Sequence, residues 1–208
     1  MDFFERTFTQ PVMAILRGME PDRTVELAER AWQLGIDLVE VPIEAPRALP
    51  SLRATVQAGA DRGHRVGAGT VITPEQVRTA SEAGAAFTVA PGLDAEVVDE
   101  CRRWDLPHLP GVSSPTEIQH AHRLGLEWVK AFPASVLGSS WFAAMGGPFP
   151  GTRMVATGGI NAHNAPEYLR AGASAVAVGS ALEDPEQLPA LAELAGTRER
   201  GEDAVSRA

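Results

Sequence analysis

The sequence predicts an α/β fold, a compact (β/α)8 TIM barrel forming a single domain, and three observations carry that prediction. Short apolar runs alternate with helix-spaced segments along the whole chain, and eight such pairs can be counted. Four of the helical segments close on the same signal, Leu34-Gly35, Ala83-Gly84, Leu124-Gly125 and Ala171-Gly172, and the next apolar run begins a residue or two later, which makes a βα repeat of roughly 20 to 30 residues. The 208 residues suit one domain with a sizeable core and lie below the roughly 250 usual for such barrels. A doubly wound open sheet is the competing architecture, because it shares the same alternation.

Each unit has its own justification. Val12-Met13-Ala14-Ile15-Leu16 is an apolar run, and Val25, Ala28, Ala31, Trp32 and Leu34 then recur at helical spacing over residues 24–34 until Gly35 stops them. A strand over 36–41, a helix within 49–60 and a strand at 66–67 follow. Thr73-Pro74-Glu75-Gln76 offers a capping hydroxyl with proline at the first helical position, and that helix runs to Ala83. The next strand is 87–89, with a helix within 94–104, and residues 107–109 form the fifth strand. Ser114-Pro115-Thr116-Glu117 repeats the cap-then-proline start and opens a helix to Leu124. The sixth strand is 126–131, followed by a short helix near 139–145. Strands at 153–156 and 173–178 alternate with helices at 164–171 and within 185–194. The domain is set at 1–196, including a short N-terminal segment, and 197–208, charged and small, is expected to be a flexible tail.

Composition excludes several function classes. Hydrophobic residues make up 44% and charged residues 22%, and 18 basic against 27 acidic side chains give a formal charge of -9. That balance excludes a broad nucleic-acid or anionic-membrane footprint, though backbone N–H groups can still bind a small anion. No apolar stretch is long enough to span a bilayer, and Met1 to Gln10 has no leader pattern. Cys101 is the only cysteine, so no internal disulfide can form, and the usage suits a reducing cytoplasm. The five histidines do not cluster in sequence and read as surface or loop residues, so no metal is expected.

In a barrel the chemistry collects past the C-terminal ends of the strands. Taken in order, those positions are Arg17, Glu40, Thr70, Pro91, Gly111, Lys130, Gly158-Gly159 and Gly179-Ser180. Lys130 can be a nucleophile toward a ketone, a role that requires the uncharged amine, which burial favours; an edge lysine with its head in water is the plainer alternative. Glu40 can move protons as a general acid and base, or serve only as a salt-bridge partner of Lys130 or Arg17. In Gly67-Ala68-Gly69-Thr70 the backbone can approach a ligand closely, and Thr70 can hold a carboxylate oxygen or simply cap a turn. The turns Gly158-Gly159 and Gly179-Ser180 follow the last two strands, where many barrels bind phosphate through backbone N–H groups.

Together the segments Ala14-Ile15-Leu16-Arg17-Gly18, Val39-Glu40-Val41, Gly67-Ala68-Gly69-Thr70-Val71, Ala90-Pro91-Gly92, Leu109-Pro110-Gly111, Val129-Lys130-Ala131-Phe132-Pro133 and Thr157-Gly158-Gly159-Ile160 resemble the Schiff-base aldolases of 2-keto-3-deoxy-6-phosphosugar acids, the family that includes the 4-hydroxy-2-oxoglutarate aldolases. The resemblance runs from Pro11 to about Leu194. It implies metal-independent cleavage of a phosphogluconate- or phosphogalactonate-type substrate to pyruvate and glyceraldehyde 3-phosphate, with no cofactor, in a cytoplasmic homotrimer whose partners are small keto acids or phosphosugar acids. Lys130 is then the Schiff-base lysine and Glu40 the general acid/base, while Thr70 and Pro91 line the pyruvate end, Phe132 packs beside the lysine, and Gly158, Gly159, Gly179 and Ser180 hold the phosphate. Aldol cleavage of 4-hydroxy-2-oxoglutarate to pyruvate and glyoxylate is the alternative within enzymes. Outside them stands a non-catalytic phosphometabolite-binding barrel. One departure concerns Glu44, which occupies the place where the phosphogluconate branch has an arginine for the pyruvate carboxylate. Glu44 is therefore expected to point away or to meet a sugar hydroxyl, which leaves Arg17 as the nearest cation for that carboxylate.

Overall fold

The computed structural model describes the backbone of residues 3–205 and the side chains of residues 3–196. A short helix, α1 (Phe3–Thr7), precedes β1 (Val12–Ile15), α2 (Pro21–Gln33), β2 (Leu38–Pro42), α3 (Leu49–Ala60), β3 (Val66–Gly69), α4 (Pro74–Glu82), β4 (Thr88–Val89) and α5 (Ala95–Arg103). The chain continues through β5 (His108–Leu109), β6 (Gly111–Val112), α6 (Pro115–Arg123), β7 (Trp128–Ala131), α7 (Ala134–Leu137), α8 (Ser139–Gly146), β8 (Arg153–Thr157), α9 (Ala165–Arg170), β9 (Ala175–Val178) and α10 (Leu188–Val205). All pairings are parallel, and the sheet order runs from β5 through β4, β3, β2, β1, β9, β8 and β7 to β6. Its two ends, β5 and β6, are joined by Pro110 alone. The sheet is therefore closed into a barrel of eight staves, the fifth broken in the middle, and the open doubly wound sheet is ruled out. Proline has no N–H for the ladder, so the stave pairs with β4 before Pro110 and with β7 after it, where Lys130 N–H donates to the Pro110 carbonyl at 2.8 Å.

The strands look uniformly apolar in sequence because both faces are covered, yet the two faces belong to different cores. One cluster joins Met13, Leu38, Val89, Leu109, Trp128, Val155 and Ala177 inside the barrel. The other joins Val12, Ala14, Val39, Val41, Ala68, Val129, Ala156 and Val178 to the helices outside. Alternation by two along each strand divides the sets. Glu40 follows Leu38 by two on β2 and Lys130 follows Trp128 by two on β7, so both fall into the inward series.

Helix α1 was not foreseen, since five residues are too few to show a helical period. It closes the bottom of the barrel with Phe4 and Phe8, which are buried in the interior cluster, and Phe8 stacks on Trp128 with ring centroids 4.9 Å apart. The helix C-termini repeat one device. Ile36 N–H reaches back to Ala31 O, Ala85 to Ala80, Leu106 to Cys101, Leu126 to Ala121 and Ala173 to Tyr168, the bond that closes a helix when the residue before it is left-handed. That residue is glycine in four of these and Asp105, at φ 50°, in the other. These caps pull the strand starts later than expected: β2 begins at Leu38 and β9 at Ala175. The predicted starts at Thr73 and Ser114 do cap, accepting from Gln76 N–H and Glu117 N–H. Helix α2 begins at Pro21, earlier than its apolar spacing suggests, and α7 is an extra turn before α8. The stretch expected as a tail lies at the end of α10, where side chains fall outside the described residues, as do residues 206–208 entirely.

Removing the stopper should be expensive. Phe8→Ala is expected to cost about 3–5 kcal/mol of unfolding free energy, read as a lower urea midpoint with little change in slope.

Candidate active site

Lys130 is 3% exposed and Glu40 is fully buried, so both stand below the barrel mouth and not on its rim. Their side chains face each other across the interior, Lys130 Nζ lying 3.8 Å from Glu40 Oε1. Neither Glu40 oxygen has a hydrogen-bond partner among the described residues. Burial pushes the Glu40 carboxyl above its ordinary range, opposed by the positive charges of Lys130 and, more weakly, Arg17. The amine also sits 5.3 Å from the centroid of the Phe132 ring. Lys130 is the sole lysine of the sequence; the other 17 of the 18 basic residues are arginines.

The glycines of Gly67-Ala68-Gly69 serve the interior of the protein, contrary to the expectation that they admit a ligand. A Cβ on Gly67 would stand 2.3 Å from the Phe87 ring, and one on Gly69 would be 3.1 Å from the Glu40 carboxyl group. Their absent side chains make room for a core aromatic and for the buried acid. Thr70, next in line, adopts φ 56°, a costly conformation for a β-branched residue.

Above the pair, Arg17 Nη2 donates to Thr70 Oγ1 at 3.0 Å, and its Nη1 lies 3.4 Å from Glu44 Oε2. Glu44 therefore turns toward Arg17, which is itself on a cavity wall. Arg17, Lys130 and Phe132 line one cavity of ≈ 470 Å³ together with Gly158, Gly159, Gly179 and Ser180. Gly158 and Gly159 both have positive φ, and a Cβ on Gly159 would come within 2.6 Å of Ser135. The loop they open is tied by Asn161 and Asn164: Asn161 N–H donates to Asn164 Oδ1, His163 and Asn164 N–H donate to Asn161 Oδ1, and Asn164 Nδ2 donates to Gly159 O.

Glu40, Thr70, Glu44 and Pro91 are the predicted residues that are not on the wall of this cavity; the first three adjoin it through Lys130 and Arg17, whereas Pro91 stands apart. It lines a separate cleft of ≈ 230 Å³ with Val71, Ile72 and Leu93, and it packs on Gly111, whose Cβ position is 2.1 Å from the Pro91 carbonyl and which pairs with Lys130. The sequence reading missed Ile15, Met19, Thr157, Asn161, Ala177 and Glu183, all on the cavity wall. Ile15, Thr157 and Ala177 were reachable from the inward alternation of β1, β8 and β9. Glu183, at the end of a 3₁₀ turn that Ser180 opens, carried no signal. The histidines do not converge, and no group of three His, Cys, Asp or Glu side chains suited to a metal occurs among the described residues. One of them is not a surface residue: His108 is buried on β5, its Nδ1 2.8 Å from Thr88 Oγ1, and burial lowers it to about 4.

The sequence profile described as KDPG and KHG aldolase matches residues 5–194. The 2-dehydro-3-deoxy-phosphogluconate aldolase of Treponema pallidum (strain Nichols) is 38% identical over 166 residues, 79% of this chain and 77% of that protein. The probable 2-dehydro-3-deoxy-6-phosphogalactonate aldolase of Rhizobium meliloti (strain 1021) is 32% identical over 177 residues, 85% of this chain and 83% of that protein. Among solved structures, the KDPG aldolase from Legionella pneumophila with pyruvate captured at low pH as a covalent carbinolamine intermediate is similar at TM-score 0.78 and 31% identity, over 90% of this chain and 93% of that one.

The raised Glu40 carboxyl is open to a direct check. Infrared difference spectra should show a protonated acid band that persists above pH 4.5, disappears as pH rises further, and is absent from Glu40→Gln.

Proposed function

The chain belongs to the KDPG and KHG aldolase family of class I aldolases, and from that premise we propose that it cleaves a 2-keto-3-deoxy-6-phosphosugar acid to pyruvate and glyceraldehyde 3-phosphate through an imine on Lys130. The observation that carries this reading is the buried amine and carboxyl 3.8 Å apart, with both carboxyl oxygens unpartnered. The first step needs an amine that can add to a carbonyl and an acid beside it, and burial favours the protonated form of Glu40.

The Lys130 nitrogen adds to the C2 carbonyl, and Glu40 protonates the departing oxygen so that water leaves and an iminium forms. Glu40, now a carboxylate, takes the proton of the C4 hydroxyl. The C3–C4 bond breaks, its electrons pass into the C2–C3 bond, and the iminium nitrogen becomes the neutral nitrogen of an enamine. The aldehyde leaves. Glu40 then returns its proton to C3, water adds at C2, and hydrolysis frees pyruvate and the amine.

Arg17 and Thr70 are the groups we assign to the pyruvate carboxylate, and Phe132 walls the amine. The phosphate is assigned to the backbone of Gly158-Gly159 and Gly179-Ser180; two successive positive-φ glycines suit an anion-binding concavity. Pro91 contributes through its packing on Gly111. A cytoplasmic homotrimer remains the expected state, supported by the family likeness; no helix among the described residues is long and apolar enough to cross a membrane.

Borohydride with pyruvate should add a reduced three-carbon unit to Lys130, which as the sole lysine makes mass mapping unambiguous. Lys130→Ala should show neither adduct nor turnover, and Glu40→Gln should lower kcat by roughly 10²–10⁴-fold. Turnover of one or the other C4 epimer of the phosphosugar acid should exceed that of 4-hydroxy-2-oxoglutarate; the reverse order in kcat/KM would replace the phosphosugar by the dicarboxylate.

A further inference from the structure

Arg17 projects from the loop after β1, and its side chain is 50% exposed. A long side chain in that setting samples many rotamers unless it is tethered. Here it has two tethers. Thr70 is fixed by its unusual backbone and accepts from Nη2, and Glu44, just past β2, stands opposite Nη1. With its two terminal nitrogens engaged, the guanidinium still forms part of the cavity wall that it shares with Lys130.

We propose that Glu44 is a positioning residue that determines how the site takes the carboxylate end of its keto acid, holding Arg17 against Thr70 in the one orientation that serves a carboxylate beside Lys130. This rests on the imine reading above, and it gives the acidic residue a task that neither pointing away nor meeting a sugar hydroxyl would. Two effects of Glu44 oppose each other. Its charge disfavours a nearby carboxylate, by roughly two-fold for partly exposed groups several ångströms apart in salt. Its hold on Arg17 spares the ordering of one long side chain on binding, worth about two- to ten-fold in affinity. The second effect is the larger.

The test is a set of Glu44 variants read by the pyruvate dependence of both aldol synthesis and borohydride trapping. Glu44→Ala, which loses the tether but also the two-fold repulsion, should raise the half-saturating pyruvate concentration by up to about five-fold with kcat changed less than about two-fold, and Glu44→Gln, which keeps an acceptor for Arg17, should lie between it and the wild type. In an Arg17→Gln background the Glu44→Ala change should no longer raise that concentration, and relief of the repulsion should lower it by up to about two-fold. A lower half-saturating concentration in Glu44→Ala, a fall in kcat alone, or an undiminished effect without Arg17 would each overturn the proposal. Calorimetric titration with pyruvate of the same Glu44 variants in a Lys130→Ala background ranks affinity without any covalent step. Absence of trapping in the wild type therefore counts against the imine alone, whereas equal affinities across the Glu44 series remove the role of Glu44.

Discussion

Everything around the cavity answers one constraint: an amine and a carboxyl group buried together inside a barrel. Two isolated charges at that depth would each cost several kcal/mol, and the barrel meets the cost by keeping Lys130 and Glu40 3.8 Å apart. Space for the acid comes from Gly69, which has no Cβ to strike it. The floor is closed from below, where Phe8 lies on Trp128 and Trp128 stands two residues before Lys130 on the same strand. The stopper helix is thus coupled to the chemistry through one stave, although it lies at the opposite end of the barrel from the cavity.

The mouth is built by the opposite rule. Backbone conformations there are the ones regular strands avoid: Thr70 at φ 56°, Gly158 at 96° and Gly159 at 74°. Such conformations persist only where surrounding contacts over-determine them. For the glycine loop the contacts are the reciprocal hydrogen bonds of Asn161 and Asn164; for Thr70 they are the β3 ladder on one side and Arg17 on the other. A uniform floor of packed apolar side chains allows the rim to depart from regular geometry without loosening the fold.

The eight βα units and the pair Lys130 and Glu40 were legible in the sequence, because period, caps and turn residues all act locally. What was not legible depended on contacts across the barrel. Helix α1 has no period to read, and its aromatic side chains make sense only once the barrel bottom exists. Gly67 and Gly69 looked like ligand-facing residues, but their neighbours, Phe87 and Glu40, come from other strands. Pro110 marked a weak strand, and only closure shows that it splits a stave between two partners. Asp105 fills the left-handed cap position elsewhere held by glycine, so the repeat skipped it. Glu44 could be recognised as a departure, whereas its contact with Arg17 needed the distance between two loops.

The charge pattern also gains a chemical meaning. A chain with formal charge -9 handling a substrate of the same sign must rely on local fields, and many of its arginines are tied to acids, among them Arg23 to Glu26, Arg62 to Glu29 and Arg78 to Glu100. Arginine remains protonated throughout the working range, so these residues supply charge without supplying a nucleophile. Lysine does both, and this chain has one. An aldehyde or ketone entering the protein therefore meets a single side-chain amine able to add to it, placed where a carboxyl group can carry away the oxygen as water.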